Sequence, residues 1–196
     1  GSSLIIDTNN QNAVETGFYS AIHSDASGKW VVDNSNIQVN GAAQLNHVQI
    51  GERGVGEAEF LNGGQLIIRT IGDGTNSGAL RVGDKGGTGT LAIDGVGSLV
   101  GGDAHTVMTI GERPEDQYNM VVYEESYTAE TFEGTIGTVT LTNGAFLQFG
   151  TAGDGIADII VGDGGSLTAS DDSTVVGDIQ IIGTGTVSDN LLSLVI

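Results

Sequence analysis

The feature that most restricts this chain is a block of about twenty residues that comes back along it. VQIGERGVGEAEFLNGGQLII occupies residues 48–68, and LRVGDKGGTGTLAIDGVGSLV occupies 80–100. A third copy opens as MTIGERPEDQ at Met108, breaks off, and resumes as GTVTLTNGAFLQF over 137–149. A shortened fourth, IIVGDGGSLTA, starts at Ile159. The anchors Ile50, Val82 and Ile110 are 32 and 28 residues apart, and Val161 lies 51 further on. Repeats of this period are stacked units, none of which buries its apolar face alone.

Inside each block apolar residues alternate with period two: Val48 and Ile50, Ala58 and Phe60, Leu66 and Ile68 in the first copy. That is strand spacing, one side chain inward and the next outward. The steps Asn62-Gly63, Asp94-Gly95 and Asn143-Gly144 punctuate the strands, because Gly and Asn reach positive φ cheaply. With 33 glycines in 196 residues, Gly stands well above its ordinary share of about 7%. No 3.6-residue stripe is visible; residues 33–37 and the stretch after Pro114 have room for one helical turn each.

The expectation is an all-β chain. Asn-Gly between strands favours antiparallel hairpins, hence a sandwich or barrel. The same three-strand block with the same turns favours a single-stranded parallel β-helix, a β-solenoid, right-handed and of about six coils with one lateral insertion. Ile50, Val82, Ile110 and Val161 then stack inward. Phe60 and Ile93 lie beside Leu141, and Leu66 and Leu99 beside Leu147. The parsing is a non-repeat cap or assembly segment over 1–28, the β-helix over 29–190 with its insertion at 114–133, and an apolar assembly segment over 191–196.

The stretch LRVGDKGGTGTLAIDGVGSL, with VQIGERGVGEAEFLNGGQL before it, resembles the repeats of bacterial autotransporter passenger domains and related PEP-CTERM-associated surface proteins. The likeness covers roughly residues 48–167. It implies an extracellular or cell-surface location and a structural role as stalk, adhesin or matrix component, and it brings no catalytic motif.

Charge narrows the partners. Six Lys and Arg against 25 Asp and Glu give a net charge of −19, which leaves no basic face for nucleic acid or an anionic membrane surface. No apolar run approaches the roughly 18 residues of a membrane-spanning helix. The absence of Cys excludes a disulfide framework and thiolate chemistry. The three histidines, His23, His47 and His105, are isolated, and no Gly-x-Ser-x-Gly elbow occurs. Acid pairs at glycosidase spacing are inevitable among so many carboxylates, so a polysaccharide-degrading enzyme is a rival reading only. The chain reads as a non-enzyme.

Five groups of residues are candidates for function. Gly51-Glu52-Arg53, Gly83-Asp84-Lys85 and Gly111-Glu112-Arg113 put an acid beside a cation at equivalent turns: a solvated edge, or a charge column that sets register. Asp154, Asp158 and Asp163 stand in a Gly-rich stretch and are candidate Ca²⁺ ligands; no cofactor is otherwise required. Asp171, Asp172 and Asp178 make a second acidic neighbourhood. The insertion holds Tyr118, Tyr123 and Tyr127, six acids and no cation, which suits contact with a glycan or surface ligand, the alternative adhesin reading. Finally Leu4, Ile5 and Ile6 near one end, and Leu191, Leu192, Leu194, Val195 and Ile196 at the other, are candidates for homo-oligomer or filament formation by strand addition or end-to-end stacking.

Overall fold

The computed structural model describes residues 2–8, 16–20, 25–42, 46–71, 79–103, 106–112, 134–150 and 157–196. The described chain is all-β apart from one short 3-10 helix, Asp189–Leu194. Its strands come in threes. The first three are β1 (Ser3–Thr8), β2 (Thr16–Ser20) and β3 (Ser27–Asp33). Next come β4 (Asn36–Ala42), β5 (Asn46–Ile50) and β6 (Val55–Leu61), then β7 (Gln65–Ile71), β8 (Ala79–Val82) and β9 (Thr88–Asp94). β10 (Leu99–Gly102), β11 (Val107–Ile110) and β12 (Ile136–Thr142) follow, then β13 (Phe146–Gln148), β14 (Ala157–Val161) and β15 (Gly165–Ala169). β16 (Thr174–Val176), β17 (Asp178–Ile181) and β18 (Thr186–Val187) end the series.

Each strand pairs in parallel with the third one before and after it. Three six-stranded sheets result: β1-β4-β7-β10-β13-β16 (sheet 1), β2-β5-β8-β11-β14-β17 (sheet 2) and β3-β6-β9-β12-β15-β18 (sheet 3). This arrangement is compatible with a β-helix and excludes the antiparallel sandwich. The Asn-Gly hairpin signal fails here for a specific reason. Asn62 and Gly63 do take positive φ, 53° and 85°, as do Asn143 and Gly144. The tight bend they make joins strands of different sheets, so the favoured turn geometry serves a corner instead of a hairpin.

Register sets the core. Ile50 pairs with Val82, Val82 with Ile110, and Ile110 with Val161. Phe60 pairs with Ile93 and Ile93 with Leu141. All seven side chains are fully buried, and each contributes about 1.5–3 kcal/mol of transfer free energy. One expected rung is shifted. Leu66 pairs with Val100, and Val100 with Leu147, whereas Leu99 pairs with Gln65 and Phe146 and is only half-buried. The corner between Ile93 and Val100 is one residue longer than those between Phe60 and Leu66 and between Leu141 and Leu147, and a one-residue slip exchanges faces. The spare residue is absorbed by a turn in which the buried Ser98 donates its hydroxyl to the Asp94 carbonyl (2.6 Å) and accepts the Gly63 N–H (3.0 Å).

One further expectation is corrected. Residues 33–37 are not helical: Asp33 ends β3, Asn34 turns at φ 45°, and Asn36 starts β4. Within the span 1–28, β1 and β2 pair in continuous register with β4 and β5. Parallel ladders join backbone to backbone, so they extend into sequence with no repeat motif. Among the described residues no helix is long and apolar enough to cross a membrane.

Candidate functional site

The turns that follow β5, β8, β11 and β14 stack on one another at the corner between sheets 2 and 3. Each opens just after the last inward residue of sheet 2. A Cβ at Gly51 would run into the carbonyl oxygen of Thr88 in the next repeat, and φ there is 72°. Only glycine lets the turns approach so closely. The Asp84 N–H donates to the Gly51 carbonyl (3.1 Å), and the Glu112 N–H to the Asp163 carbonyl (2.9 Å).

This backbone stacking brings the charged side chains together. Lys85 Nζ lies 2.9 Å from Glu52 Oε1, and Arg81 Nη1 lies 3.5 Å from Asp84 Oδ2. Gln49 joins the pairs: with its amide oriented to suit its neighbours, the nitrogen donates to Glu52 Oε2 (2.8 Å) and the oxygen accepts from Arg81 Nη1 (2.9 Å). Of the readings open from sequence, the solvated edge is corrected: the side chains of Lys85, Glu52, Arg81 and Asp84 are exposed by only 8, 14, 8 and 1%. Ions withdrawn from water this far must be paired, because a buried unpaired charge costs several kcal/mol. The network therefore constrains which repeat faces which. Arg53 is exposed, and Arg113 lies outside the described residues.

Gln49 and Arg81 are partners that lie outside the Gly-acid-cation motif, yet the sequence carries a signal for them. Each sits two residues before the turn glycine, at the outward-facing position between Val48 and Ile50 and between Leu80 and Val82. Their counterpart Thr109 is also buried. Further along the corner, burial pushes the Glu112 carboxyl above its usual range, and the negative charges of Asp163 and Asp84 add to that. Asp163 goes the other way: the Thr184 N–H (2.6 Å) and hydroxyl (2.9 Å) bond its Oδ1 and hold it below the ordinary carboxylate value.

The acidic candidates do not converge. Asp158 is buried at the start of β14, where its Oδ2 accepts the Asp178 N–H (3.0 Å). Asp163 is exposed beyond the other end of that strand. At about 3.3 Å of rise per residue the two are more than about 10 Å apart, too far to share one ion. Asp154 lies outside the described residues. Asp171 and Asp172 occupy the turn before β16, while Asp178 is buried beyond it, so strand β16 separates them. Among the described residues no three His, Cys, Asp or Glu side chains gather as a metal set.

The terminal candidates are placed asymmetrically. The 3-10 helix turns Leu191 into the core at 5% exposure, and Leu194 and Val195 pack against it. Val195 bridges to Ile179 in parallel, and the Ile196 N–H donates to the Ile179 carbonyl (2.9 Å). Leu192 and Ile196 stay exposed, as do Leu4 and Ile5 on the outermost strand β1; of Ile6 only the backbone, in β1, is described. Tyr118, Tyr123 and Tyr127 lie outside the described residues, with the rest of the insertion 114–133.

No protein-family model matches the chain, and neither a curated protein nor a solved structure is matched by it.

Proposed function

We propose that the chain is a right-handed parallel β-helix of about six coils with a structural, non-enzymatic role: a subunit of a surface fibre, matrix or stalk outside a bacterial cell, associating through its ends. The observation that carries this reading is the parallel pairing of every third strand in all three sheets, reinforced at one corner by a buried ion-pair network. Such a scaffold resists shear along its strands and presents repeated outer faces. Its dimensions set a condition. Six rungs at about 4.8 Å span only about 25–30 Å, so a fibre needs copies stacked end on end. The outermost strands β1, β2 and β3 supply the polar edge on which strand addition works.

The test is the mass and shape of the full chain in solution. Light scattering behind gel filtration, over a wide concentration range, is expected to show growth beyond the monomer, with filaments in negative-stain micrographs. A monodisperse monomer at high concentration, with no filaments, sinks the proposal.

A further inference from the structure

We infer that the outer face of sheet 3 is a binding surface for ice, that is, for water ordered on a crystalline lattice. The face begins with charge: Lys29 Nζ is 2.6 Å from Glu59 and 3.5 Å from Glu57. From β9 onward the outward positions change character. They are Thr88, Thr90 and Ala92 on β9, Ile136, Thr138 and Thr140 on β12, Ser166 and Thr168 on β15, and Thr186 on β18. None of these carries a charge, in a chain with a net charge of −19. Asp94, at the margin, is engaged by the Thr142 hydroxyl (2.7 Å) and the Asn143 amide (2.6 Å).

The hydroxyls form two ranks. Thr90 pairs with Thr138, Thr138 with Ser166, and Ser166 with Thr186. Beside them Thr140 pairs with Thr168. Register between β9, β12 and β15 runs without a bulge, so the backbone spaces the groups at about 4.8 Å across strands and about 6.6 Å along them. The oxygen repeats on faces of hexagonal ice are of the same order. Threonine is stiff at χ1, so its hydroxyl and methyl keep those spacings instead of averaging over them. No hydrogen bond to a described residue occupies the hydroxyl of Thr90, Thr138, Thr140, Ser166 or Thr168, which leaves them for the ligand.

Chemistry selects the occupant. A charged polymer finds no counter-charge among these residues. A single sugar needs a concave site with a few convergent polar groups, and these side chains stand on the outside of a sheet. A flexible glycan loses conformational freedom on being immobilised. A lattice of water has no such loss, and it meets periodic donors and acceptors with periodic ones.

The test uses the full chain and three variants: Thr140→Lys and Thr168→Lys on the face, and Gln65→Lys on sheet 1 as a charge-matched control. All are checked first for unchanged melting temperature. Dye-labelled wild type and Gln65→Lys are expected to enter a slowly growing ice hemisphere and to shape crystals. Thr140→Lys and Thr168→Lys are expected to be excluded like an inert protein. Exclusion of the wild type, or equal incorporation of the face variants, overturns the inference. So does retention of the wild type on crystalline cellulose or chitin, lost in Thr140→Lys, together with exclusion from ice, which would give the face to a polysaccharide. The oligomeric-state measurement above is read separately, so either proposal can fail without the other.

Discussion

Gly51 and Gly63 look interchangeable in the repeat, yet different constraints keep them glycine. Both have positive φ, 72° and 85°, but a Cβ at Gly51 collides with the Thr88 carbonyl, whereas one at Gly63 has nothing within 4 Å. Gly63→Ala should therefore cost only the left-handed penalty, about 1 kcal/mol. Gly51→Ala adds a clash with backbone that cannot move independently, and should cost about 3 kcal/mol or more by urea denaturation. Equal losses would mean that the turns do not stack. Lys85 makes a second residue-scale case. Lys85→Met strands Glu52 at 14% side-chain exposure and should cost about 2–3 kcal/mol. Glu52→Gln combined with Lys85→Met should recover part of that loss. A double-mutant cycle with no coupling would return the corner to the solvated-edge reading.

At the scale of elements, the corners and the last helix repay comparison. The corner holding Ser98 carries one residue more than the equivalent corner on either side of it and keeps register by tying that residue down with two hydrogen bonds. Alternation along β9 and β10 was legible from sequence, but the phase between them was not, because phase depends on how a turn disposes of its length. The 3-10 helix is the reverse case. Its apolar letters and the two that follow read as an assembly segment, and the fold turns three of the five inward onto Ile179 and its neighbours. Leu191→Ala should destabilise the chain by about 2 kcal/mol. Amide exchange should speed up in β17 and β18 with little change in β5 and β8, where the core lies several rungs away. Uniform acceleration would mean that the helix stabilises the whole column.

For the whole molecule the dominant field is its own negative charge. At neutral pH the excess of carboxylates opposes compaction, so salt near 1 M, where the Debye length is about 3 Å, should raise the melting temperature. The pH profile has two limbs. Glu112 has a raised carboxyl in the fold, so stability falls as pH rises from its ordinary 4.5 through the folded value. Asp94, Asp163 and Asp172 have lowered carboxyls, through bonds from Thr142, Thr184 and Ser170. Their contribution is complete above the ordinary 3.8 and is lost as pH falls through their folded values. The melting temperature should thus peak between these limbs. Glu112→Gln should flatten the alkaline limb, since it removes the half-buried carboxyl whose ionisation the fold opposes. A profile that rises steadily from pH 4 to pH 8 would contradict the assignment.

What the letters determined by themselves was everything set by local periodicity. Alternation at Val48 and Ile50, the recurrence of Gly-acid turns, and positive-φ residues at the corners favour stacked strands with Ile50, Val82 and Ile110 in one column, while the parallel pairing that excludes hairpins came from the sheets. What needed the tertiary structure was whatever depends on the neighbour one repeat away. The pairing of Val100 in place of Leu99, the burial of Arg81 and Lys85, the separation of Asp158 from Asp163, and the recruitment of β1 and β2 into the sheets all follow from backbone register. Register is a property of two strands together, and no single stretch of sequence contains it.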